Sequence, residues 1–499
     1  MSRALLQRIR DRVERETGPE FVQTGRRVAM AYPSPYRAGM SSLGYQWITT
    51  LVRAEGIGAE RVFLPDEPAA YRAARMSPVS YETGTPLGRF PIIAVSLAYE
   101  LEIAGLIELL DMAGIPPRRE DRGPEHPVVL LGGPISMASP LAAAPFVDAM
   151  LLGEAEETAP AALRDFFDSD SRDRWLDHLA LYPGAYIPER HGTLLPSLAK
   201  ASDRLLPARS AWLAPDAELS NMFLLEGERG CHRTCTFCVM RRSTNGGMRL
   251  VEPDRVLSVI PDHAHKVGLV GAAISDHPQL VPLLETLVEN GRQVSLSSLR
   301  ADRVARKPRI AQLLRKSGAR TLTVASDGAS ARLRAQLQKK TSEDYLSQCA
   351  QQAGSLGYSV FKVYMMIGVP GETEADIDEL VEFTRDLSRA AGRSRVALGV
   401  APFVAKRNTP LDGVPFAGIK VVERRMKHLQ RGLRGAAEVR PVSARWAWVE
   451  YELSQGGPES GEAAFAAWKA GGSFADWKRA LQAVDPATRR PWATAQAAK

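Results

Sequence analysis

Short apolar runs, separated by stretches of helical periodicity, fill the first third of the chain. Five such runs predict buried strands at 27–32, 61–64, 92–96, 128–131 and 146–152. Between the first two, Leu43, Trp47 and Leu51 recur at the spacing of one helix face, and a further helix is predicted over 104–113. Apolar strands that alternate with helices are typical of a parallel sheet covered on both faces. The pattern therefore predicts an α/β domain with a doubly wound parallel sheet over residues 1–164.

A second alternating series follows a connector, residues 165–217, that has little periodicity. Its six apolar runs predict strands at 222–225, 268–274, 293–297, 321–325, 360–366 and 396–401. Six strand–helix units predict a partial (β/α)6 barrel over residues 218–436, and barrels of this kind bind ligands at the carboxyl ends of their strands. From residue 437 to 499 the pattern predicts a small helical region that covers the barrel.

Composition fits a cytoplasmic protein of two or three domains. The chain has 499 residues, which exceeds one ordinary core. No apolar run reaches the ~18–20 residues of a membrane span, so we expect no membrane partner. The N-terminal segment has the pattern of an amphipathic helix and lacks the apolar centre of a secretory signal.

The net charge is a mild basic excess of +7, from 64 basic and 57 acidic residues. This excess permits an anionic substrate or a nucleic acid but requires neither. The basic run 424–431 lies on a predicted helix, where a solvated face is favoured over an RNA-binding strip. The charge pattern therefore disfavours a nucleic-acid partner.

Three of the four cysteines lie together at Cys231, Cys235 and Cys238, directly after the first strand of the predicted barrel. The spacing C-x3-C-x2-C can direct three thiolates at one centre, whereas a four-cysteine iron–sulfur site or a closed zinc site needs a fourth ligand. The alternative is a zinc site completed by His232, which is disfavoured because zinc ligands usually come as separated pairs. The fourth cysteine, Cys349, is predicted to pack inside a helix.

The cysteine motif with Phe237, placed after the first strand of a partial barrel, resembles the radical S-adenosylmethionine (SAM) superfamily. Residues 1–164 resemble the cobalamin-binding domain of one branch of that superfamily. The resemblance covers nearly the whole chain, and it includes the segments 40–44, 95–100, 132–134, 153–156 and 366–373.

The resemblance implies a 4Fe–4S cluster and SAM as cofactors. Cys231, Cys235 and Cys238 would hold three irons, and SAM would chelate the fourth; the reduced cluster then cleaves SAM to methionine and a 5′-deoxyadenosyl radical. An electron donor of the flavodoxin or ferredoxin type is implied as a partner. The positions expected to contact SAM are Phe237, Ser275, Asp276, Ser298, Arg300, Asp327, Arg332, Ile367 and Gly368. At Asp327 the chain departs from the family's glutamate–glycine pair by one methylene, and Arg334 is a second candidate for the SAM carboxylate.

The resemblance also implies cobalamin at the carboxyl ends of the N-terminal strands. The positions expected to contact it are Tyr36, Arg37, Ser96, Gly132, Gly133, Gly153 and Glu154. The motif D-x-H-x-x-G, whose histidine ligates cobalt in many cobalamin proteins, is absent. Either cobalamin binds without a protein histidine, which we favour, or the domain has kept the fold and lost the cofactor.

The function implied is cobalamin-dependent methyl transfer to an unactivated carbon of a small-molecule or peptide substrate. The alternatives are a radical SAM enzyme without cobalamin, which performs rearrangement, cyclisation or oxidation, and a non-catalytic cluster- or corrinoid-binding regulatory protein. The N-terminal domain lacks the additional cysteines of methylthiotransferases. The sequence identifies neither the substrate nor a catalytic side chain beyond the cofactor ligands.

Overall fold

The computed structural model describes residues 2–240, 247–485 and 488. The chain forms two compact units. The first takes Met1–Phe223 together with Glu452–Lys499, and the second takes Leu224–Arg242 and Gly246–Tyr451. The boundaries predicted at 164 and 217 therefore both fall within the first unit, and the one at 436 within the second.

The first unit is built on a six-stranded sheet in the order β2-β1-β3-β4-β5-β6. The strands β1 to β5 run parallel, and β6 is antiparallel to β5. This order confirms the predicted doubly wound parallel sheet. The strands are β1 Arg27–Tyr32, β2 Gly58–Phe63, β3 Ile92–Ser96, β4 Val128–Gly132, β5 Ala149–Leu151 and β6 Ala185–Tyr186.

The last predicted strand of this sheet is shorter than its apolar run. Of the run predicted at 146–152, only the first residue lies in the 3-10 helix Leu141–Phe146, and β5 begins at Ala149. Pro145 lies inside that 3-10 helix and has no amide hydrogen for a strand ladder.

Eight α-helices lie before β7 among the described residues. The buried apolar strand residues pack against several of them. The eight helices are Ser2–Arg15, Tyr36–Gly39, Leu43–Ala54, Pro68–Ala73, Glu102–Met112, Thr158–Asp168, Arg172–Leu179 and Pro188–His191.

Helix Glu102–Met112 crosses directly against the loop that follows β1. A Cβ atom on Gly105 would overlap the carbonyl oxygen of Pro33. The buried carboxylate of Glu102 accepts hydrogen bonds from Ser34 Oγ at 2.9 Å and from the Ala98 amide at 2.7 Å. These contacts fix the loops after β1 and β3 at the carboxyl edge of the sheet, where doubly wound folds bind ligands.

The C-terminal helices Pro458–Lys469 and Phe474–Gln482 belong to the first unit. Trp468 Nε1 donates a hydrogen bond to Glu108 Oε2 at 2.7 Å, and a Cβ on Gly461 would overlap the carbonyl oxygen of Ala142. The helix Pro458–Lys469 therefore packs on the helix Glu102–Met112 and its neighbours, and the expectation that residues 437–499 cover the barrel stays a prediction.

The second unit contains the six predicted barrel strands in sequence order. One sheet has the order β11-β10-β7 and another β12-β13-β14-β15, and the parallel bridge Leu299↔Val324 joins the β11 end of the first to β12. Three further strands were not predicted, namely β8, β9 and β15. The bounds are β7 Met222–Glu226, β8 Glu228–Cys231, β9 Gly247–Leu250, β10 Lys266–Val270, β11 Gln293–Leu296, β12 Thr321–Asp327, β13 Val360–Ile367, β14 Arg395–Pro402 and β15 Glu438–Pro441.

Helices separate the parallel strands of the second unit, as the alternating pattern predicts. No helix among the described residues combines the length and the apolar character needed to cross a bilayer. The helices are Pro253–Ser258, Leu280–Glu289, Ala301–Arg306, Arg309–Lys316, Ala331–Gln336, Glu343–Ser355, Glu374–Ala391, Ile419–Gly432 and Ala444–Gln455.

The contact at Gly105 predicts that alanine at this position lowers the stability of the first unit, although alanine favours a helix more than glycine does. The variant Gly105→Ala should destabilise the first unit by about 1–3 kcal/mol, because the added methyl group forces the helix away from Pro33. The matched control is Gly44→Ala, where no atom lies within 4 Å of the added carbon. That control should be neutral or stabilising by up to about 1 kcal/mol. Thermal unfolding measures both, and equal effects would contradict the close approach.

Candidate functional site

The three clustered cysteines lie on one loop of the second unit. Cys231 is the last residue of β8, which pairs antiparallel with β9 so that Cys231 is opposite Gly247. Cys235 and Cys238 follow in irregular structure, and all three thiols are half-buried and free. Cys349 is fully buried in the helix Glu343–Ser355, as predicted for a packing residue.

The segment after the helix Ala331–Gln336 supports this loop. The Thr236 amide donates to the carbonyl oxygen of Leu337 at 3.1 Å, and Cys235 Sγ lies 3.9 Å from the carbonyl oxygen of Gln338. Gln338 and Lys340 have φ angles of 51° and 53°, which non-glycine residues adopt rarely. The backbone of this segment is therefore held in an unfavourable conformation where it meets the cysteine loop.

A buried ion pair fixes the loop from its other side. Arg233, between Cys231 and Cys235, donates two hydrogen bonds to Asp276, with Nε to Oδ2 at 2.7 Å and Nη2 to Oδ1 at 2.6 Å. Arg303 Nε donates to Asp276 Oδ1 at 2.6 Å. Burial alone would raise the pKa of Asp276, but the hydrogen bonds from Arg233 and Arg303 outweigh it and hold the pKa below its usual value.

The thiols require deprotonation before they can bind a metal. Burial raises the pKa of Cys231 and of Cys238 above the ordinary value for a thiol, so metal binding must release their protons. Within residues 2–240 and 247–485, no group of three or more His, Cys, Asp or Glu side chains is placed so as to hold a metal ion. The loop brings the three thiols near one another without gathering them in a ligand geometry.

Asp276, which was expected to contact SAM, is surrounded by arginines of the protein. Its carboxylate side chain is 0% exposed and fully engaged by Arg233 and Arg303. It therefore serves as an anchor for the cysteine loop. Its neighbour Ser275 is buried and accepts a hydrogen bond on Oγ from the Arg300 amide at 3.2 Å.

Glu228 is a buried acid that the sequence reasoning missed. Its Oε1 accepts a hydrogen bond from the Ala273 amide at 2.6 Å, while Oε2 is buried and has no hydrogen-bond partner among the described residues. Because Gly271 has no side chain, the Glu228 carboxylate can occupy the space that a Cβ atom there would take. Burial raises the pKa of Glu228 to about 7. A charged residue in a buried strand between Gly227 and Gly230 was the signal that could have revealed it.

Arg300 supplies a buried donor on the same side of the second unit. Its Nε lies 3.0 Å from Asp302 Oδ1 and 3.9 Å from Asp276 Oδ1. Its Nη2 is buried without a hydrogen-bond partner in the part of the chain that the structure describes. Glu228 and Arg300 are both tied to the turn 273–276 after β10, through the Ala273 amide and Ser275 Oγ. An unpaired acceptor and an unpaired donor at one turn match the ammonium and carboxylate of an amino-acid head group.

The other arginines expected near SAM each form a contact within the protein. Arg332 is exposed and donates to Asp376 at 2.6 Å and to the carbonyl oxygen of Gly371. Arg334 Nη2 donates to Glu343 at 2.5 Å. Arg334 also keeps two buried nitrogens, Nε and Nη1, without a hydrogen-bond partner among the described residues, so Arg300 and Arg334 both retain donors for a carboxylate.

The remaining expected SAM contacts lie at the carboxyl ends of the second unit's strands. Asp327 ends β12 with a φ of 64° and forms an ion pair with Lys339. Ile367 ends β13 and is buried, while the amide of the adjacent Gly368 donates to Glu372 Oε1 at 2.8 Å. Phe237 is half-buried and Ser298 is exposed. These placements leave the expected roles as predictions.

In the first unit, three of the expected cobalamin contacts are used by the protein itself. Tyr36 is 1% exposed, and its hydroxyl donates to Glu16 at 2.5 Å. A Cβ on Gly153 would lie 2.6 Å from the Ala199 nitrogen, and Glu154 Oε2 accepts from the Ala201 amide at 2.9 Å. These residues hold the helix Ser2–Arg15 and the connector, and their expected contacts with cobalamin stay predictions.

The other expected cobalamin contacts remain accessible. Ser96 and Gly132 end β3 and β4 and are half-buried, and Arg37 is exposed. Gly133 has a φ of 99°, and a Cβ there would lie 2.7 Å from the carbonyl oxygen of Leu97. Its lack of a side chain therefore serves the crossing of the two loops.

Two family models match the chain. The model described as radical SAM proteins, N-terminal, matches residues 44–188, and the model of the radical SAM superfamily matches residues 227–384. Together they cover more than half of the chain, and the second includes the complete cysteine loop.

One curated relative and two solved structures extend the comparison. The uncharacterized protein MJ0966 of Methanocaldococcus jannaschii is 25% identical over 82% of this chain and 84% of its own length. The cobalamin-dependent S-adenosylmethionine radical enzyme OxsB with aqua-cobalamin bound gives a TM-score of 0.50 at 13% identity, over 72% of this chain and 52% of that chain. With aqua-cobalamin and S-adenosylmethionine bound, OxsB gives 0.50 at 12% identity, over 92% and 72%. The first of these alignments spans about half of the OxsB chain, and both show a shared fold.

The ion pair of Asp276 predicts how the cysteine loop responds to its loss. In metal-free protein, Asp276→Asn should raise the alkylation rates of Cys231, Cys235 and Cys238 by about tenfold or more. The reason is that removing one partner leaves buried arginine charges uncompensated, at a cost of about 3–5 kcal/mol. Mass spectrometry after iodoacetamide pulses measures each thiol, with buried Cys349 as the internal reference.

A matched control for this substitution is Glu285→Gln, which removes the partner of Arg309 in the same unit. That control should leave the three rates within about twofold, since half-exposed pairs contribute little. Equal rates in Asp276→Asn and in the unchanged protein would show that the ion pair does not hold the loop.

Proposed function

We propose, from the premise that the chain belongs to the radical SAM superfamily, that it is an enzyme for cobalamin-dependent methyl transfer to an unactivated carbon. It would bind one 4Fe–4S cluster at Cys231, Cys235 and Cys238. The observation that carries the SAM part of the proposal is the pair of unpartnered buried groups, Glu228 Oε2 and Arg300 Nη2, beside the cysteine loop.

The donor set fits the superfamily's cofactors. Three cysteines leave one metal position open, which suits a cluster whose remaining iron takes a substrate ligand. Glu228 would accept hydrogen bonds from the SAM ammonium, and Arg300 would donate to its carboxylate. When bound and reduced by one electron, cluster and SAM together supply a 5′-deoxyadenosyl radical. A flavodoxin- or ferredoxin-type protein is the proposed electron donor.

The chain's own groups would orient the cofactors and exclude water. Arg233 and Asp276 hold the cysteine loop against the turn 274–276, and the Thr236 amide holds it against Leu337. Because these contacts are made between the protein's own groups, they reduce the ordering entropy that cluster binding costs. Burial of Glu228 strengthens its attraction for a cation relative to water.

The cobalamin part of the proposal rests on the first unit. Its strand order is the one found in doubly wound ligand-binding sheets, and its fold is shared with OxsB, whose structures contain aqua-cobalamin. Ser96 and Gly132 leave the carboxyl ends of two central strands accessible. Cobalamin, when bound, supplies a carrier for a methyl group.

The second candidate function is a radical SAM enzyme that works without cobalamin, for rearrangement, cyclisation or oxidation. One observation favours it, namely that Tyr36, Gly153 and Glu154 are engaged inside the protein. A purely regulatory protein is less favoured, since such a protein has no need of an unpaired acid and an unpaired arginine beside its cluster loop.

Anaerobic reconstitution tests the cluster and the SAM site. The wild-type protein should bind about four irons per chain and form 5′-deoxyadenosine from SAM under reduction. Replacing all three cysteines by alanine should abolish both. Glu228→Gln should retain the iron and weaken SAM binding by about tenfold, as measured by equilibrium dialysis, because a charged hydrogen-bond partner is lost. Deoxyadenosine from the triple variant would refute the cluster assignment.

Corrinoid binding separates the two candidate functions. After incubation with hydroxocobalamin and gel filtration, the wild-type protein should retain a corrinoid absorption band. Gly132→Leu should lose the band, because the larger side chain fills the accessible end of β4, while the control Gly25→Leu lies in open space and should retain it. A wild-type protein that forms 5′-deoxyadenosine but retains no corrinoid would support the second candidate.

A further inference from the structure

The central strand β13 has one face that differs from an ordinary parallel strand. It is paired in parallel with β12 on one side and with β14 on the other. Phe361, Val363 and Met365 form one face and are 0–3% exposed, and the helices Glu343–Ser355 and Ile419–Gly432 contact the strand. The alternate residues form the inner face, defined by Lys362, Tyr364 and Met366. Central strands of parallel sheets are normally apolar on both faces, so a lysine and a tyrosine here require an explanation.

Tyr364 is 40% exposed although it lies in the middle of this strand. Its neighbours on the inner face are small, since the register places Ala325 of β12 and Gly399 of β14 opposite it. A Cβ on Gly399 would lie 3.0 Å from the Tyr364 ring and 3.5 Å from Lys362 Cε. Both side chains therefore extend over Gly399, and the inner face around them is open.

The ammonium group of Lys362 is held in place without a counter-ion. Its Nζ donates to Tyr364 Oη at 3.1 Å and lies 4.5 Å from the centre of the ring. No carboxylate within residues 2–240 and 247–485 forms an ion pair with it. By contrast, two other half-buried lysines of this unit do form ion pairs, Lys339 with Asp327 and Lys406 with Glu450. An ammonium carries three donors, so two remain for a ligand.

We propose that Lys362 and Tyr364 form a binding site for an anionic group, a carboxylate or a phosphate, of the substrate. This inference rests on the proposed function, because it assigns the inner face of the second unit to the substrate of that reaction. Lys362 precedes Ile367 by five positions, about 17 Å along a strand. A substrate anchored by its anionic group at Lys362 reaches the strand ends only if it is elongated. The site therefore selects substrates with an anion at one end and the reacting carbon several bonds away.

Calorimetric titration of the reconstituted full-length protein tests the site directly. The probes are pyrophosphate and glutarate, which represent the phosphate and the carboxylate source. The variant Lys362→Met removes the charge at similar length, Lys362→Arg retains it, and Lys420→Met removes an exposed lysine of the same unit. We expect at least one probe to bind the wild-type protein. The dissociation constant should rise about tenfold or more in Lys362→Met and about threefold or less in Lys362→Arg and Lys420→Met.

Each result of the titrations leads to a different conclusion about the site. Binding of pyrophosphate alone identifies a phosphate group, and binding of glutarate alone identifies a carboxylate. Absence of binding by either probe, equal weakening in Lys362→Met and Lys420→Met, or no weakening in Lys362→Met would overturn the site. Formation of 5′-deoxyadenosine by the wild-type protein is measured in parallel. If it fails while anion binding stands, the proposed function is wrong and the anion site remains; the reverse result removes the site alone.

Discussion

The second unit depends on a single buried carboxylate. The side chain of Asp276 has no exposed surface, so its charge is tolerated only while Arg233 and Arg303 surround it. Arg233 lies within the cysteine motif, and Arg303 belongs to the helix that follows the next strand. Through one side chain, the cysteine loop, the turn after β10 and the helix after β11 are therefore fixed together. Asp276 is satisfied within the protein, whereas Glu228 keeps one buried polar atom and Arg300 two without a hydrogen-bond partner among the described residues.

In the first unit, too, several strand-end residues make contacts within the protein. Small residues there allow a cofactor to approach, but Gly133 and Gly153 allow other parts of the chain to approach instead. Gly132 lies next in sequence to Gly133 and yet meets only the Leu151 carbonyl oxygen, 3.8 Å from an added Cβ. Glycines at the strand ends of the first unit thus allow loops to pack closely at some positions and leave the edge of the sheet open at another.

Periodicity was sufficient to predict most of the fold, because apolar strands of a parallel sheet and amphipathic helices differ in their spacing along the chain. All eleven predicted strands are present in shifted or matching bounds, and the fold class is confirmed. The cysteine loop was predictable because its ligands are adjacent in sequence. The partners of Asp276 and Tyr36 were not, since Arg233 is 43 residues from Asp276 and Glu16 is 20 residues from Tyr36. Which buried polar atoms remain unpaired depends on such long-range contacts, and no local pattern encodes them.

The return of the C-terminal helices to the first unit has a consequence for synthesis on the ribosome. The helix Glu102–Met112 and the 3-10 helix Leu141–Phe146 lack one of their neighbours, Pro458–Lys469, until that helix has emerged more than 300 residues later. At about 5–20 residues per second, that interval is tens of seconds. The second unit has all of its own strands before then. The first unit to begin is thus the last to be completed, and its apolar flank is exposed to chaperones during the interval.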